Sequence, residues 1–537
     1  MSDSNIPETI PGALLRAAER WPDSEALVDG DVRLTFAEYC DAAFDTARAL
    51  IAAGIKPGDR VGLWAPNSIE YAATAFGVYF AGAVLVPLNT RYKAAEAADI
   101  LRRSRAAAVF AFSDLLGTDY LGSLHENGVL DDVDLAVNLR GPETASGLTR
   151  SAFLALGETV SRETVLERIA ALEYDSVSDI QFTSGTTGWP KGAMLMHGTS
   201  VRGYTEYLNS VSIRNGDRVL GVPPYFHIYG LKAGLLACVL AGACMYPVTV
   251  FDIVEVGKLI GDEQITVVQG PPPLHMGLLD DPRVDRSRLK SIRISSVGSA
   301  GFAPENFARI RDELGSEELG SAYGLTETHG IVTRSYPHDD FDTVAFSSGR
   351  PVPGIEVRIL DDNGAEAAAG EAGEITVRGF TVMKGYFEDP EATRKAIDEE
   401  GWLHTGDVGL IDDQGRLCVL DRRTDMFLVG GFNTYPAEIE RILMTHGGLA
   451  EVAVVGVPDE RLGKVGMVYA VRKPDAHLEA DELIAWAREN LANFKVPRYV
   501  EFLEQLPRNA SGKVQKFKLA SEDEQGPTPN LPTAASI

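Results

Sequence analysis

Between Thr35 and Arg334 the chain alternates stretches of helical apolar spacing with short, wholly apolar runs, as when Phe36 to Ala53 gives way to Arg60 to Trp64. Such a rhythm predicts helices packed on mostly parallel strands. Two uncharged stretches, Tyr71 to Thr90 and Ala233 to Phe251, approach the length of a membrane span, but small residues and a proline interrupt each. Ala81-Gly82-Ala83 leads into Val84-Leu85-Val86-Pro87, and Ala241-Gly242-Ala243 into Cys244-Met245-Tyr246-Pro247. The shared pattern predicts a buried helix, a glycine stop and a buried strand, twice over. From Gly354 to Leu420 the pattern changes to short strands, with turns at Asp361-Asp362-Asn363-Gly364 and Asp412-Asp413-Gln414-Gly415, and predicts a smaller β-rich unit. A compact α+β segment then runs to about Ala520, with helices expected over Ala437 to Met444 and Ala480 to Leu491. The polar, proline-containing stretch Ser521 to Ile537 is expected to be disordered.

A chain of 537 residues exceeds a single hydrophobic core and implies at least two domains. Its formal net charge of -27, spread along the chain, argues against nucleic acid or an anionic membrane surface as partner. A polyanionic substrate would have to be held by a local nest of donors, because the overall field repels it. Cys40, Cys238, Cys244 and Cys418 show no metal or redox spacing and read as reduced, mostly buried thiols. Met1 to Ile10 have neither the basic nor the apolar region of a signal peptide. The expectation is a cytoplasmic protein without stable membrane insertion.

Candidate chemistry is densest in Thr183-Ser184-Gly185-Thr186-Thr187-Gly188-Trp189-Pro190-Lys191-Gly192. Glycines let the backbone bring N–H groups to an anion, hydroxyls add donors, and a lysine adds a mobile charge. A Walker loop needs glycine before its lysine and Ser or Thr after it, whereas Lys191 stands between Pro190 and Gly192. The following Ala193-Met194-Leu195-Met196 suits a strand, not the helix a Walker loop feeds. The plain alternative is a flexible surface turn, disfavoured by the preceding strand-like Asp179 to Phe182 and by the density of donors.

Five further segments occur in order: Tyr225-Phe226-His227-Ile228-Tyr229-Gly230, Tyr323-Gly324-Leu325-Thr326-Glu327, Thr405-Gly406-Asp407, Asp421-Arg422 and Ser511-Gly512-Lys513. With the hydroxyl-rich loop they resemble the signature of the adenylate-forming superfamily, which includes acyl-CoA synthetases, peptide-synthetase adenylation domains and luciferases. The resemblance spans nearly the whole chain. It implies an α/β protein with a large multi-layer N-terminal domain (residues 1–422) of parallel sheets, carrying the β-rich subdomain from about 350 to 422. A small mobile α+β C-terminal domain (423–520) and the tail (521–537) would follow.

The same resemblance implies the site. ATP would be bound by Thr183, Ser184, Gly185, Thr186, Thr187, Gly188 and Lys191, by Ser299, Ala300 and Gly301 along adenine, and by Ser321, Ala322, Tyr323, Gly324 and Thr326. Asp407 would accept from the ribose hydroxyls with Arg422 beside it, Glu327 would hold Mg²⁺, and Lys513 would reach the carboxylate and α-phosphate. Lys513, Thr326 and His227 are the expected catalytic set. Gly430 and Gly431 would line the coenzyme A passage, and Thr424 would be the hinge where the family usually has Asp or Lys. Taken singly, most of these positions read better as turns, helix caps or solvated surface.

His227 stands where amino-acid-activating relatives commonly carry an aspartate, so an ordinary carboxylic acid is expected. The apolar surroundings, Leu231 to Leu240 and Gly270 to Leu279 with Pro271-Pro272-Pro273, favour a hydrophobic acyl group. The branch resembled is that of bacterial medium- and long-chain acyl-CoA synthetases, including those for steroid-derived propanoates. The expected partners are thus a small-molecule acid, ATP and coenzyme A, and a homodimer is left open. Two other readings stand beside the ligase: an enzyme that loads a separate carrier protein, and a non-catalytic ATP-binding module. A luciferase-like oxygenase is disfavoured by Gly430, where that branch carries lysine.

Overall fold

The computed structural model describes residues 8–142, 146–183, 190–298, 304–361, 363–422, 425–429, 432–459, 461–474, 476–491, 493–508, 514–516 and 518–519, omitting side-chain detail at 421, 422, 432, 433, 438 and 463. Two seven-stranded sheets form the larger part. One has the strand order Glu318–Gly320, Ile294–Val297, Val267–Gly270, Arg218–Gly221, Cys244–Pro247, Glu25–Asp29, Val32–Thr35. The other runs Leu148–Thr149, Leu135–Asn138, Ala106–Ala111, Arg60–Trp64, Val84–Pro87, Val177–Thr183, Lys191–Met196. Each is parallel except for one hairpin at an edge, Glu25–Asp29 with Val32–Thr35 and Val177–Thr183 with Lys191–Met196. The chain is thus α/β, as its alternating pattern predicts.

Burial on both faces explains the uninterrupted apolar strands. Val61, Leu63, Val109 and Phe110 of one sheet and Val219, Val267 and Ile294 of the other are at most 1% exposed and belong to one continuous core. The helices Phe36–Ala52 and Ile69–Phe80 fill that core, the first started by a Thr35–Glu38 capping box and the second capped by Ser68. Both predicted glycine stops are real. Gly82 and Gly242 have φ of 72° and 70°, the left-handed region that ends a helix, and the strands Val84–Pro87 and Cys244–Pro247 follow.

The second of these helices departs from expectation. Tyr229–Leu236 is a π-helix that becomes α-helical only over Ala237–Ala241. Gly230 lies so close to the carbonyl oxygens of Pro223 and Pro224 that any side chain would overlap them. Leu231 to Leu240, expected to be apolar, also carries a buried charged residue near its start, Lys232, which is 1% exposed.

Beyond these sheets, Ala322–Tyr323, Thr333–Arg334 and Arg350–Pro351 make a small antiparallel ladder. Ile355–Leu360, Gly373–Gly379, Leu403–Ile411 and Leu417–Arg422 form a four-stranded antiparallel sheet, with the helix Pro390–Ala396 inserted. The last part has the sheet order Phe432–Thr434, Phe427–Val429, Gly463–Arg472, Leu449–Asp459, with Tyr499–Phe502 parallel to Gly463–Arg472. Its helices, Pro436–Leu443 and Ala480–Asn490, fall within a residue of the expected bounds. No helix among the described residues is long and apolar enough to cross a membrane.

Candidate active site

Parallel α/β sheets present ligands at the carboxyl ends of their strands. The candidate segments lie there: Thr183 ends Val177–Thr183, Gly298 follows Ile294–Val297, and Ser321 follows Glu318–Gly320. Thr183 pairs across the hairpin with Lys191, so the hydroxyl and the lysine flank the opening of the loop between them. Thr183 Oγ1 donates to Glu327 Oε1 at 3.1 Å, across 144 residues of sequence. Tyr386 Oη donates to the same oxygen at 3.0 Å, and Lys191 Nζ sits 5.3 Å from the Tyr386 ring centroid. Burial, with the Glu327 charge alongside, pushes the Tyr386 phenol up, so it stays a donor.

Residues 383–387 latch this arrangement through the backbone, Met383 N to Glu327 O at 2.8 Å and Phe387 N to Gly192 O at 2.7 Å. Thr326 and Glu327 occupy a 3₁₀ turn, Thr326–Thr328, whose entry leaves no room for a side chain at Gly324 against the backbone of Gly330 and Ile331. The turn closes at His329, which has φ of 53° and is fully buried. Its Nε2 accepts from Met196 N at 2.9 Å, so the ring proton sits on Nδ1, which donates to Thr381 O at 2.8 Å. Burial pulls its pKa down to about 4, and the imidazole is neutral. His329 and Tyr386 carry this geometry without any sequence periodicity that singles them out.

A second cluster surrounds Asp407. Tyr323 Oη donates to Asp407 Oδ2 at 2.7 Å, and the strand register sets Asp407 opposite Arg422. The turn before it is fixed by Asp407 N to Thr405 Oγ1 at 3.1 Å and by Gly406 N to Glu374 Oε1 at 3.3 Å. Ser321, by contrast, spends its hydroxyl on Ser347 O at 2.9 Å, while its N–H donates to Ser335 Oγ. Ala322 and Tyr323 form a short strand leading to Gly324.

The third component is the wall made by residues 225–236. Tyr229 N donates to His227 Nδ1 at 3.2 Å, and burial pulls the His227 pKa down to about 4, leaving it neutral. The Tyr229 ring lies 3.6 Å from where a side chain would begin at Gly298. Gln269 Nε2 supports the π-helix through Ala233 O at 3.0 Å. Below it, Lys232 Nζ donates to Asp179 Oδ2 at 2.6 Å, both side chains being at most 1% exposed.

The remaining candidates, Ser184, Gly185, Thr186, Thr187, Gly188, Ser299, Ala300, Gly301, Thr424, Gly430, Gly431 and Lys513, lie outside the described residues, as does the Arg422 side chain. Among the described residues no group of three His, Cys, Asp or Glu could hold a metal ion.

Comparison with known proteins adds an independent line. A family model described as AMP-binding enzyme matches residues 14–387, and one described as AMP-binding enzyme C-terminal domain matches 438–513. The chain is 44% identical, over 96% of its length and 99% of the relative, to a 3-[(3aS,4S,7aS)-7a-methyl-1,5-dioxo-octahydro-1H-inden-4-yl]propanoyl:CoA ligase of Rhodococcus jostii (strain RHA1). An enzyme of the same name from Mycobacterium tuberculosis (strain ATCC 25618 / H37Rv) is 43% identical over 95% of this chain and 98% of its own. Among solved structures, the anthranilate CoA ligase AuaEII in complex with anthranoyl-AMP superposes with a TM-score of 0.85 at 26% identity, covering 98% of this chain and 99% of that one.

Proposed function

This chain belongs to the family of AMP-binding enzymes and is an AMP-forming acid–thiol ligase, and on that premise we propose that the acid it activates is a bulky propanoate bearing a fused ring. Acid and ATP give an acyl-adenylate with loss of pyrophosphate, and coenzyme A then takes the acyl group. The observation that carries the substrate reading is end-to-end identity of 44% and 43% to two ligases named for one bicyclic propanoate. The wall supports it, because His227 is neutral and the π-helix that follows it carries buried Leu231, Leu235 and Leu236.

The first step brings two anions together, so catalysis rests on positioning and on neutralising charge. In this reading Lys513 supplies the mobile cation, and Tyr323 and Asp407 orient the nucleotide sugar. Magnesium takes hard oxygen ligands and is usually held by one or two carboxylates plus substrate phosphates. Glu327, with Thr183 and Tyr386 donating to one of its oxygens, fits that donor set, and Mg²⁺ held there would spread phosphate charge. The organisation that suits both steps is a body of residues 1–422 and a C-terminal domain of 423–520 turning at Thr424. Gly430 and Gly431 would then give width for pantetheine.

The test is release of pyrophosphate and AMP by the purified protein with ATP and Mg²⁺ across straight-chain, aromatic and fused-ring acids, with and without coenzyme A. Highest kcat/KM for the bicyclic dione propanoate, with product release dependent on coenzyme A, is expected. A preference for octanoate or longer fatty acids overturns the substrate reading. Acid-dependent pyrophosphate release without coenzyme A dependence points to a carrier protein as acceptor.

A further inference from the structure

Lys232 and Asp179 carry opposite charges at the centre of the molecule, and the residues proposed to touch substrate do not include them. Asp179 is fully buried on the strand Val177–Thr183, and three groups donate to it. They are Tyr79 Oη to Oδ1 at 2.5 Å, Ser178 Oγ to Oδ2 at 2.5 Å, and Lys232 Nζ to Oδ2 at 2.6 Å. Tyr79 comes from the core helix Ile69–Phe80, and its Oη also lies 3.4 Å from Lys232 Nζ. The ring of fully buried His197 packs edge-on against Tyr79, 5.6 Å between centroids. Burial, with the Lys232 charge second, pulls the His197 pKa to about 3, so this imidazole adds no charge to the pair.

Stability alone is a weak reason for such a pair, since apolar residues of like volume often fill such a site as well or better. What a buried, hydrogen-bonded pair provides is a directional link, and its two ends are informative. Lys232 sits within the π-helix Tyr229–Leu236, whose first residue faces Gly298 and follows His227 by two positions. Runs of π-helix are rare and concentrate at functional sites. Asp179 stands four residues before Thr183, on the strand that delivers Thr183 to Glu327. The wall hangs from one seven-stranded sheet, between Arg218–Gly221 and Cys244–Pro247, and the phosphate hairpin belongs to the other.

We propose that Lys232 and Asp179, with Tyr79, are positioning residues that hold the acyl wall in register with the phosphate hairpin, so that the acid's carboxylate meets the α-phosphate. The inference rests on the ligase reading but not on which acid is used. It predicts an asymmetry between the two steps. Adenylation needs wall and hairpin aligned around acid and triphosphate together; thioester formation begins from an acyl-adenylate in which that bond already exists.

The experiment compares Lys232→Met, Asp179→Asn, the double variant and the milder Tyr79→Phe in the full chain. Acid-dependent ATP–pyrophosphate exchange reads the first step and conversion of supplied acyl-adenylate by coenzyme A reads the second, both with the bicyclic dione propanoate or, where the wild type prefers it, octanoate. Displacement of reacting groups by about an ångström costs on the order of 100-fold. That loss is expected in exchange kcat for Lys232→Met and the double variant, with the thioester step within about twofold of wild type. Tyr79→Phe, which loses the hydrogen bond to Asp179 and the long one from Lys232 and keeps the ring, is expected to lose about fivefold in exchange alone. The double variant leaves no unpaired charge and is expected to regain melting temperature without regaining exchange. Equal losses in both steps, or exchange recovering with stability in the double variant, would overturn the proposal. A wild-type enzyme inactive in both steps with every acid would instead refute the ligase reading.

Discussion

Three fully buried histidines make the folded chain sensitive to mild acid. His197, His275 and His329 are each 0% exposed, and burial pulls their pKa values from 6.5 to about 3, about 4 and about 4. A base with a depressed folded pKa binds its proton more readily once unfolded, so unfolding gains free energy as pH falls. The stability each neutral ring contributes is complete above pH 6.5, declines below it, and is exhausted near pH 4 for His275 and His329 and near pH 3 for His197. At pH 5.5 each has lost ~1.4 kcal/mol, as has His227 of the pocket wall, whose pKa is likewise pulled to about 4, and the four together ~6 kcal/mol. With ~2 cal/mol/K of unfolding entropy per residue, a unit of roughly 400 residues melts ~7 °C lower at pH 5.5 than at pH 8. Scanning calorimetry at fixed scan rate, in buffers of matched ionic strength, reads this shift. Carboxylates titrate mainly below this window, so the drop belongs to histidine. His275→Leu, on the helix Pro272–Asp280, should show a drop between pH 8 and 5.5 only about three-quarters as large as the wild type's. A midpoint that is flat from pH 8 to 5.5, or a His275→Leu variant with the full wild-type drop, refutes the reasoning.

Tyr323→Phe removes the donor to Asp407 at 2.7 Å and should raise KM for ATP about fivefold with a smaller change in kcat, read by steady-state kinetics. Lys513→Ala should abolish adenylate formation while sparing thioester formation from supplied acyl-adenylate, and equal loss of both steps would exclude the role given to that lysine. Gly230→Ala places a methyl group against the carbonyl oxygens of Pro223 and Pro224, backbone atoms that cannot swing aside. It should cost about 1–3 kcal/mol in denaturant unfolding and raise KM for the acid more than for ATP.

The layered fold is legible because each level of the sequence agrees with the next. Uninterrupted apolar runs such as Val84 to Pro87 can be buried only on both faces, and Gly82 and Gly242 stop their helices in the conformation glycine tolerates best. The strands that flank residues 184–189 are legible too, since the strand-like runs at Asp179 to Phe182 and Ala193 to Met196 lie within the two strands of the hairpin. The partners that position them are not. Tyr386 and Glu327 meet 59 residues apart, and no local period marks a tyrosine that must reach that far. His329 is hidden for a related reason, since its worth lies in two backbone groups, Met196 N and Thr381 O, that sequence does not place beside it. Lys232 was masked by its setting: a single charge inside an apolar run is averaged away unless its distant counter-ion is known. The π-helix was missed because a wide turn and an ordinary one share the same apolar composition.

That wide turn has an evolutionary consequence. Successive residues of an α-helix step by about 100° around its axis, whereas the looser winding of Tyr229–Leu236 accommodates more residues per turn. Removing one residue there would let the segment relax to ordinary winding and re-aim the side chains ahead of the deletion together, without breaking the helix that follows at Ala237. A lineage that carries this device can redraw the shape of its pocket through a change in length, in one event. The same redrawing by point substitution would require several residues to change in concert, each intermediate having to remain folded.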